Sequence, residues 1–205
     1  MKAATLVLGC VLGLAGLAPG VRAADDMQSA LMNGFSTDVI NHVETKGHAT
    51  VMRGKWYFSK DKIRLDTAME TDGQAIPDSS VIIRLDQHVQ WVLMPAQHQY
   101  MELPIKPEDE PRIAAMSRDL LGDWAALTPV GTAVIAGEAA DTYDQSNDKC
   151  TASAYVSSSS HLPLKVEATC ADTRTVTEYQ NMRPGAPPAE LFELPAGYQK
   201  LTLPQ

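Results

Sequence analysis

Cys150 and Cys170 constrain this chain more than any other feature, because they fix how one strand can pair with the next. In an antiparallel pair, directly opposed residues have position numbers of constant sum. If Cys150 opposes Cys170, the turn centres on Ser160, within Ser157–His161. Ala152 then faces Ala168, Ala154 faces Val166 and Val156 faces Leu164, all on the cysteine face. The other face pairs Thr151 with Thr169, Ser153 with Glu167 and Tyr155 with Lys165. A register chosen only to join two sulfurs also sorts apolar from polar side chains, and a one-residue slip would undo that sorting. The spacing predicts a hairpin stapled by a Cys150–Cys170 disulfide, closing a loop of about 20 residues and worth roughly 3 kcal/mol in the chain-entropy description. A redox or metal pair would call for a CxxC spacing or neighbouring His ligands, and neither accompanies these cysteines.

The third cysteine, Cys10, lies in a segment that reads as a secretory leader. Lys2 is its charged end, Thr5 to Leu17 its apolar run, and Val21-Arg22-Ala23 places small side chains before a cut after Ala23. A transmembrane anchor is the competing reading. The run falls short of the roughly 20 apolar residues a span needs, and Gly13, Gly16, Pro19 and Gly20 interrupt it. Lipidation at Cys10, within Val7-Leu8-Gly9-Cys10, would leave an apolar run of only about six residues before the cut. The expectation is therefore a leader over 1–23 and one domain over 24–205, with the remaining cysteines in an oxidising, periplasmic compartment. Losing Lys2 and Arg22 takes the formal charge from −8 to −10. So acidic a chain has no basic stripe with which to neutralise phosphates, which excludes a nucleic-acid partner. No apolar run after residue 23 is long enough to span a membrane.

From about Ser36 to Met182, short segments rich in Val, Ile, Thr, Tyr and Trp alternate with turn residues, the pattern of antiparallel β structure with nine to eleven strands. Around Lys60-Asp61, a two-residue loop sets Phe58 against Ile63, Trp56 against Leu65 and Met52 against Met69, with Tyr57–Arg64 and Lys55–Asp66 on the polar face. Around Asp86-Gln87-His88, a three-residue loop sets Leu85 against Val89, Ile83 against Trp91 and Val81 against Leu93. Ile82 and Val92 make this second hairpin apolar on both faces, so its second side needs a cover. One segment departs from the β pattern. Pro111 to Asp123 starts with Pro at a helix N1 position and repeats Ile113, Met116 and Leu120 at helical spacing before Gly122. A shorter helix is expected over 26–33. The Pro- and Gly-rich stretch from Pro184 to the C-terminus is expected to wrap rather than pair.

Chemistry-bearing motifs are scarce. There is no GxSxG elbow, P-loop or GxGxxG, and Ser157–Ser160 fall in a turn. His42, His48, His88, His98 and His161 show no metal-ligand spacing, and Glu108-Asp109-Glu110 lie in a proline-flanked linker. No catalytic residue, metal or cofactor is expected, and the chain reads as a non-enzyme.

The segments GKWYFSKDKIRLD (54–66), VIIRLDQHVQWVLMPAQHQYMELP (81–104), VGTAVIAGEAADTY (130–143), LPLKVEA (162–168) and LFELPAGYQKL (191–201) occur in order. As a set they resemble a periplasmic branch of the lipoprotein-sorting (LolA/LolB-like) superfamily. The strand before the serine turn carries Tyr155 and Val156 where that pattern would carry Trp. The resemblance implies a mainly β fold with one or two helices: a curved, unclosed antiparallel β-barrel with a helical lid or plug on its concave side. In transport members that side holds lipoprotein acyl chains. On this reading an apolar cavity would be lined by Trp56, Phe58, Ile63, Leu65, Ile83, Leu85, Trp91 and Leu93. The helix bearing Ile113, Met116 and Leu120 would be the lid or plug, with Trp124 at its hinge. The implied partner is an apolar small molecule or a lipidated protein. A plugged barrel would instead suit a protein-interaction or envelope-stress sensor module, and a plain packed core remains open.

Overall fold

The computed structural model describes residues 33–121 and 127–201. The leader 1–23, nearly all of the expected helix 26–33, and Gly122 and Trp124 lie outside the described residues.

The chain runs through β1 (Phe35–Thr45), β2 (His48–Ser59), β3 (Lys62–Thr71), β4 (Gln74–Arg84), β5 (Val89–Met94) and β6 (Gln99–Pro104) before its helix, α1 (Glu110–Leu121). Then follow β7 (Gly131–Ile135), β8 (Glu138–Ser146), β9 (Cys150–Ser157), β10 (Pro163–Cys170), β11 (Thr173–Pro184) and β12 (Gln199–Lys200). Among the described residues these strands form one sheet in the order β12-β6-β5-β4-β3-β2-β1-β11-β10-β9-β8-β7. Its two ends do not meet. The sheet is therefore an open, curved half-barrel, the shape a twisted sheet of long strands takes when it curls around one core without closing.

Local chemistry sets most of the turns. Lys46-Gly47, Asp72-Gly73 and Ala136-Gly137 all have positive φ at both positions, the geometry of tight hairpins whose twist matches that of the strands. The hairpin at Lys60-Asp61 has the expected register, with Phe58 opposite Ile63, Trp56 opposite Leu65 and Met52 opposite Met69. Gly54 on β2 is required by close approach: a Cβ there would lie 2.3 Å from the Asp66 carbonyl oxygen and 3.3 Å from Trp56 Nε1. Cys150 opposes Cys170 with Cα atoms 4.2 Å apart, and the two are disulfide-bonded. Along the same pair Ala152–Ala168, Ala154–Val166 and Tyr155–Lys165 match the expected register. Near the turn an irregularity shifts it, and Val156 faces Pro163 rather than Leu164.

The second hairpin differs from its expected register by one residue. Leu85–Gln87 forms a 3-10 turn and His88 takes the left-handed conformation. The connection is thus four residues long rather than three. Ile82 opposes Trp91 and Val81 opposes Val92, so Ile83 and Trp91 lie on opposite faces. The next turn repeats this geometry, with Pro95–Gln97 followed by left-handed His98.

α1 matches the expected helix, except that it begins at Glu110, so Pro111 is its second residue. The amide of Pro111 would have no helical partner in the first turn in any case. The C-terminal stretch both wraps and pairs. It makes a 3-10 turn at Ala189–Phe192 and then adds β12, whose Gln199 and Lys200 run parallel to Gln99 and Tyr100 of β6. That strand takes the count beyond the expected range.

Candidate functional site

We call the face that carries α1 the inner face. Phe35 and Val39 on β1, Phe58 on β2, Ile63 and Leu65 on β3, Ile83 on β4 and Tyr179 on β11 form one buried cluster there. Ile105, Ile113 and Leu162 complete it, and Trp56, Val81, Leu85 and Met116 pack against it. Phe35 and Phe58 stack with ring centroids 4.6 Å apart, and the Trp56 ring meets Phe58 edge-on at 6.5 Å. Six of the eight expected cavity residues therefore come together: Trp56, Phe58, Ile63, Leu65, Ile83 and Leu85. Ile113 and Met116 bring α1 onto them. Leu120 lies in the last turn of that helix.

Trp91 and Leu93 do not belong to this group. The longer turn puts them on the outer face with Ile82, where Phe192 covers them. The Trp91 indole donates to Glu102, 3.2 Å away, on the same face. The inner side of β5 and β6 carries instead Val92 and Met101, which oppose each other, and Leu103, which is exposed. Sequence reasoning did not single out Phe35, Val39 or Tyr179. The alternation Phe35-Thr37-Val39 was available as a signal, but only the pairing of β1 with β11 places it opposite Tyr179.

The outer face has its own cover. Phe192 is almost fully buried over Ile82, Trp91 and Leu93, and Leu191, Leu194 and Tyr198 pack around it. Two arginines hold this strap by its main chain. Arg64 Nη1 donates to the Leu191 carbonyl at 3.0 Å and Arg84 Nη1 to the Phe192 carbonyl at 3.3 Å. Arg84, itself buried, also donates through Nε and Nη2 to both carboxylate oxygens of Asp86, at 2.8 and 2.7 Å, and through Nη1 to Glu193 at 2.6 Å. These hydrogen bonds hold the Asp86 carboxyl below the usual carboxylate range. A depressed carboxyl stabilises the fold above its unfolded pKa of about 4, and that contribution is lost as the pH falls through its folded value. Urea midpoints should therefore drop as the pH falls below about 4, and Asp86→Asn should lower the neutral-pH midpoint while removing part of the acid sensitivity. Lys200 and Trp91 depress Glu102 in the same way at the β6–β12 edge.

Elsewhere the side-chain chemistry is modest. A cleft of about 480 Å³ lies between the β1–β2 and β10–β11 turns, lined by polar and charged residues that include Lys46, His48, Asp172 and Arg174. Beside it His48 Nδ1 and the Asp72 carboxylate are 2.8 Å apart, and Asp72 also accepts the Ala49 N–H. Ser157, fully buried, bonds the Glu138 carboxylate and accepts from the amides of Ser159 and Ser160, which organises the serine turn. Among the described residues no three His, Cys, Asp or Glu side chains gather as metal ligands. No helix there is long and apolar enough to cross a membrane.

Among the described residues, fold and site together define an open antiparallel half-barrel with one helix seated on its apolar inner face. The chain belongs to the family described as a domain of unknown function, DUF4412, whose model matches residues 39–159. No curated protein matches it. Solved structures resemble it at low identity. The Mycobacterium tuberculosis lipoprotein LppX is 10% identical with a TM-score of 0.48, over 78% of this chain and 93% of that one. A chain of the Pseudomonas aeruginosa MucA/MucB complex is 16% identical with a TM-score of 0.44, over 89% of this chain. This protein spans 64% of that chain's length. A domain assigned to outer-membrane lipoprotein sorting in Vibrio parahaemolyticus is 9% identical with a TM-score of 0.37, over 82% of this chain and 94% of that one.

Proposed function

We propose that this is an exported, periplasmic, non-enzymatic protein that binds an apolar ligand, a lipid or acyl chain, on its inner face. One observation carries the proposal. Among the described residues, the apolar inner face carries one helix rather than a second sheet, and its β5–β6 end presents Val92, Met101 and the exposed Leu103. A second sheet would be a permanent wall, whereas one helix seated through Ile113 and Met116 can shift as a unit and open the face. Such a site matches the general character of ligand pockets, mostly apolar with few polar groups. Export is supported by the leader-like 1–23 and by the Cys150–Cys170 disulfide, which persists in oxidising compartments. Native mass spectrometry of the protein isolated from the periplasm should show a co-purifying lipid, and the delipidated protein should take up a fluorescent fatty acid. Absence of both overturns the proposal.

The burial of Ile113 among Phe35, Phe58 and Ile63 favours a second reading, a filled half-barrel that works by protein interaction, as an envelope-stress sensor would. Exclusion of every acyl probe, with α1 protected from hydrogen exchange as strongly as the sheet, would select it.

A further inference from the structure

Among the described residues, the inner face holds two buried polar atoms that have no hydrogen-bond partner: the indole N–H of Trp56 and the amide oxygen of Asn41. Native interiors rarely leave such atoms orphaned, and each one calls for a physical explanation. The other half of the Asn41 amide is committed, since Nδ2 donates to Thr177 Oγ1 at 3.0 Å. The site thus offers one free donor and one free acceptor.

The register brings the two near each other. On β2, Trp56 opposes Thr37, Gly54 opposes Val39 and Met52 opposes Asn41, three successive rows of one face. The indole nitrogen does not stay over its own row. It lies 3.3 Å from the point where a Gly54 Cβ would sit, so it leans across the Gly54–Val39 row, next to the row of Asn41. Successive rows are roughly 7 Å apart, and side chains on adjacent strands close part of that gap. Gly54 adds no side chain of its own to that row, and the indole takes the place.

The surroundings limit what kind of group could pair with these two atoms. Every strand residue on these three rows, from Tyr179 and Thr177 on β11 to Thr67 and Met69 on β3, is uncharged. An ionised headgroup placed there would be desolvated without a counter-charge, which is costly. A hydroxyl or amide both donates and accepts, so it would satisfy both orphaned atoms and leave no charge unpaired. We infer that the inner face selects ligands whose apolar chain carries a neutral hydroxyl or amide group, recognised by Trp56 Nε1–H and Asn41 Oδ1. This inference rests on the apolar-ligand function proposed above and specifies its ligand class.

Competition against a fluorescent acyl probe tests it, with hexadecanol, hexadecanamide and hexadecanoate as ligands of equal chain length. Wild-type protein should prefer the alcohol and the amide over the carboxylate by about tenfold, the worth of one or two net hydrogen bonds. The Trp56→Phe/Asn41→Leu double variant should bring the three within about twofold while still binding the probe. A second measurement needs no variant: with isotope-labelled tryptophan, one buried indole N–H resonance of the wild type should move downfield with the alcohol or amide and stay in place with hexadecanoate. Equal affinities in wild type overturn the inference and point to a trapped water on the two atoms. A preference that survives in the variant overturns it too. If no acyl ligand competes at all, the apolar-ligand function itself fails and this inference with it.

Discussion

Phe192→Ala should destabilise the protein by about 3–5 kcal/mol, the range for removing a fully buried phenylalanine from a packed core. Phe192 comes from a stretch with little regular structure, so its weight is easy to underestimate. Its ring is almost fully buried, and it shares one buried cluster with Ile82, Trp91 and Leu93, with Leu191, Leu194 and Tyr198 of the same strap packed at the edge. Truncation leaves a cavity over those three side chains and weakens the seating of the strap. Its main-chain carbonyls at Leu191 and Phe192 would then hold Arg64 and Arg84 less well. Urea unfolding should show the loss as a lower midpoint. Trp91 emission should shift to the red, and a dye that reports exposed apolar surface should bind the variant more strongly. A change below about 1 kcal/mol, the level of an ordinary surface substitution, would show that the strap is not part of the core.

Removing the disulfide should cost about 3 kcal/mol, because it lets an unfolded loop of roughly 20 residues open. Cys150→Ala/Cys170→Ala is the cleanest variant, since it leaves no free thiol. For a domain of this size the melting temperature should fall by about 6–12 °C. The fold should survive, because the register beside the cysteines is held by other pairs: Ala152–Ala168, Ala154–Val166 and Tyr155–Lys165. Hydrogen exchange should accelerate first at the Asn147–Thr151 end of the hairpin, where Asn147 Oδ1 accepts the amides of Lys149 and Cys150. An unchanged melting temperature would mean that this hairpin opens only with the whole sheet and that the cross-link restrains little in the unfolded chain.

The contrast between the hairpins shows what made a register legible. The pairings at Lys60-Asp61 and at the cysteines follow from local pattern, because each has one apolar and one polar face. Sliding either strand by one residue would put charge inside. The hairpin of β4 and β5 lacks that penalty. Ile82 and Ile83 are both buried, on opposite sides, so alternation does not choose between two registers. The 3-10 turn with left-handed His88 chose, and it sent Trp91 and Leu93 to the outer face. The apolar character of both faces did signal that a second cover was needed.

By itself the sequence determined the β class, α1, the Lys60-Asp61 turn, the cysteine pair and six residues of the inner cluster. All of these depend on contacts between neighbours in the chain or on a two-residue period. Only the tertiary structure decided which segment covers the outer face, which way Trp91 points, and that Trp56 and Asn41 share the inner face with their polar atoms unpaired. The outer cover and the inner-face pair depend on contacts between distant segments, β6 with β12 and β1 with β11, whereas a turn geometry that alternation does not encode sent Trp91 outward. Local periodicity carries no information about such partners, because their contacts gain energy only once the sheet has curled and brought them together.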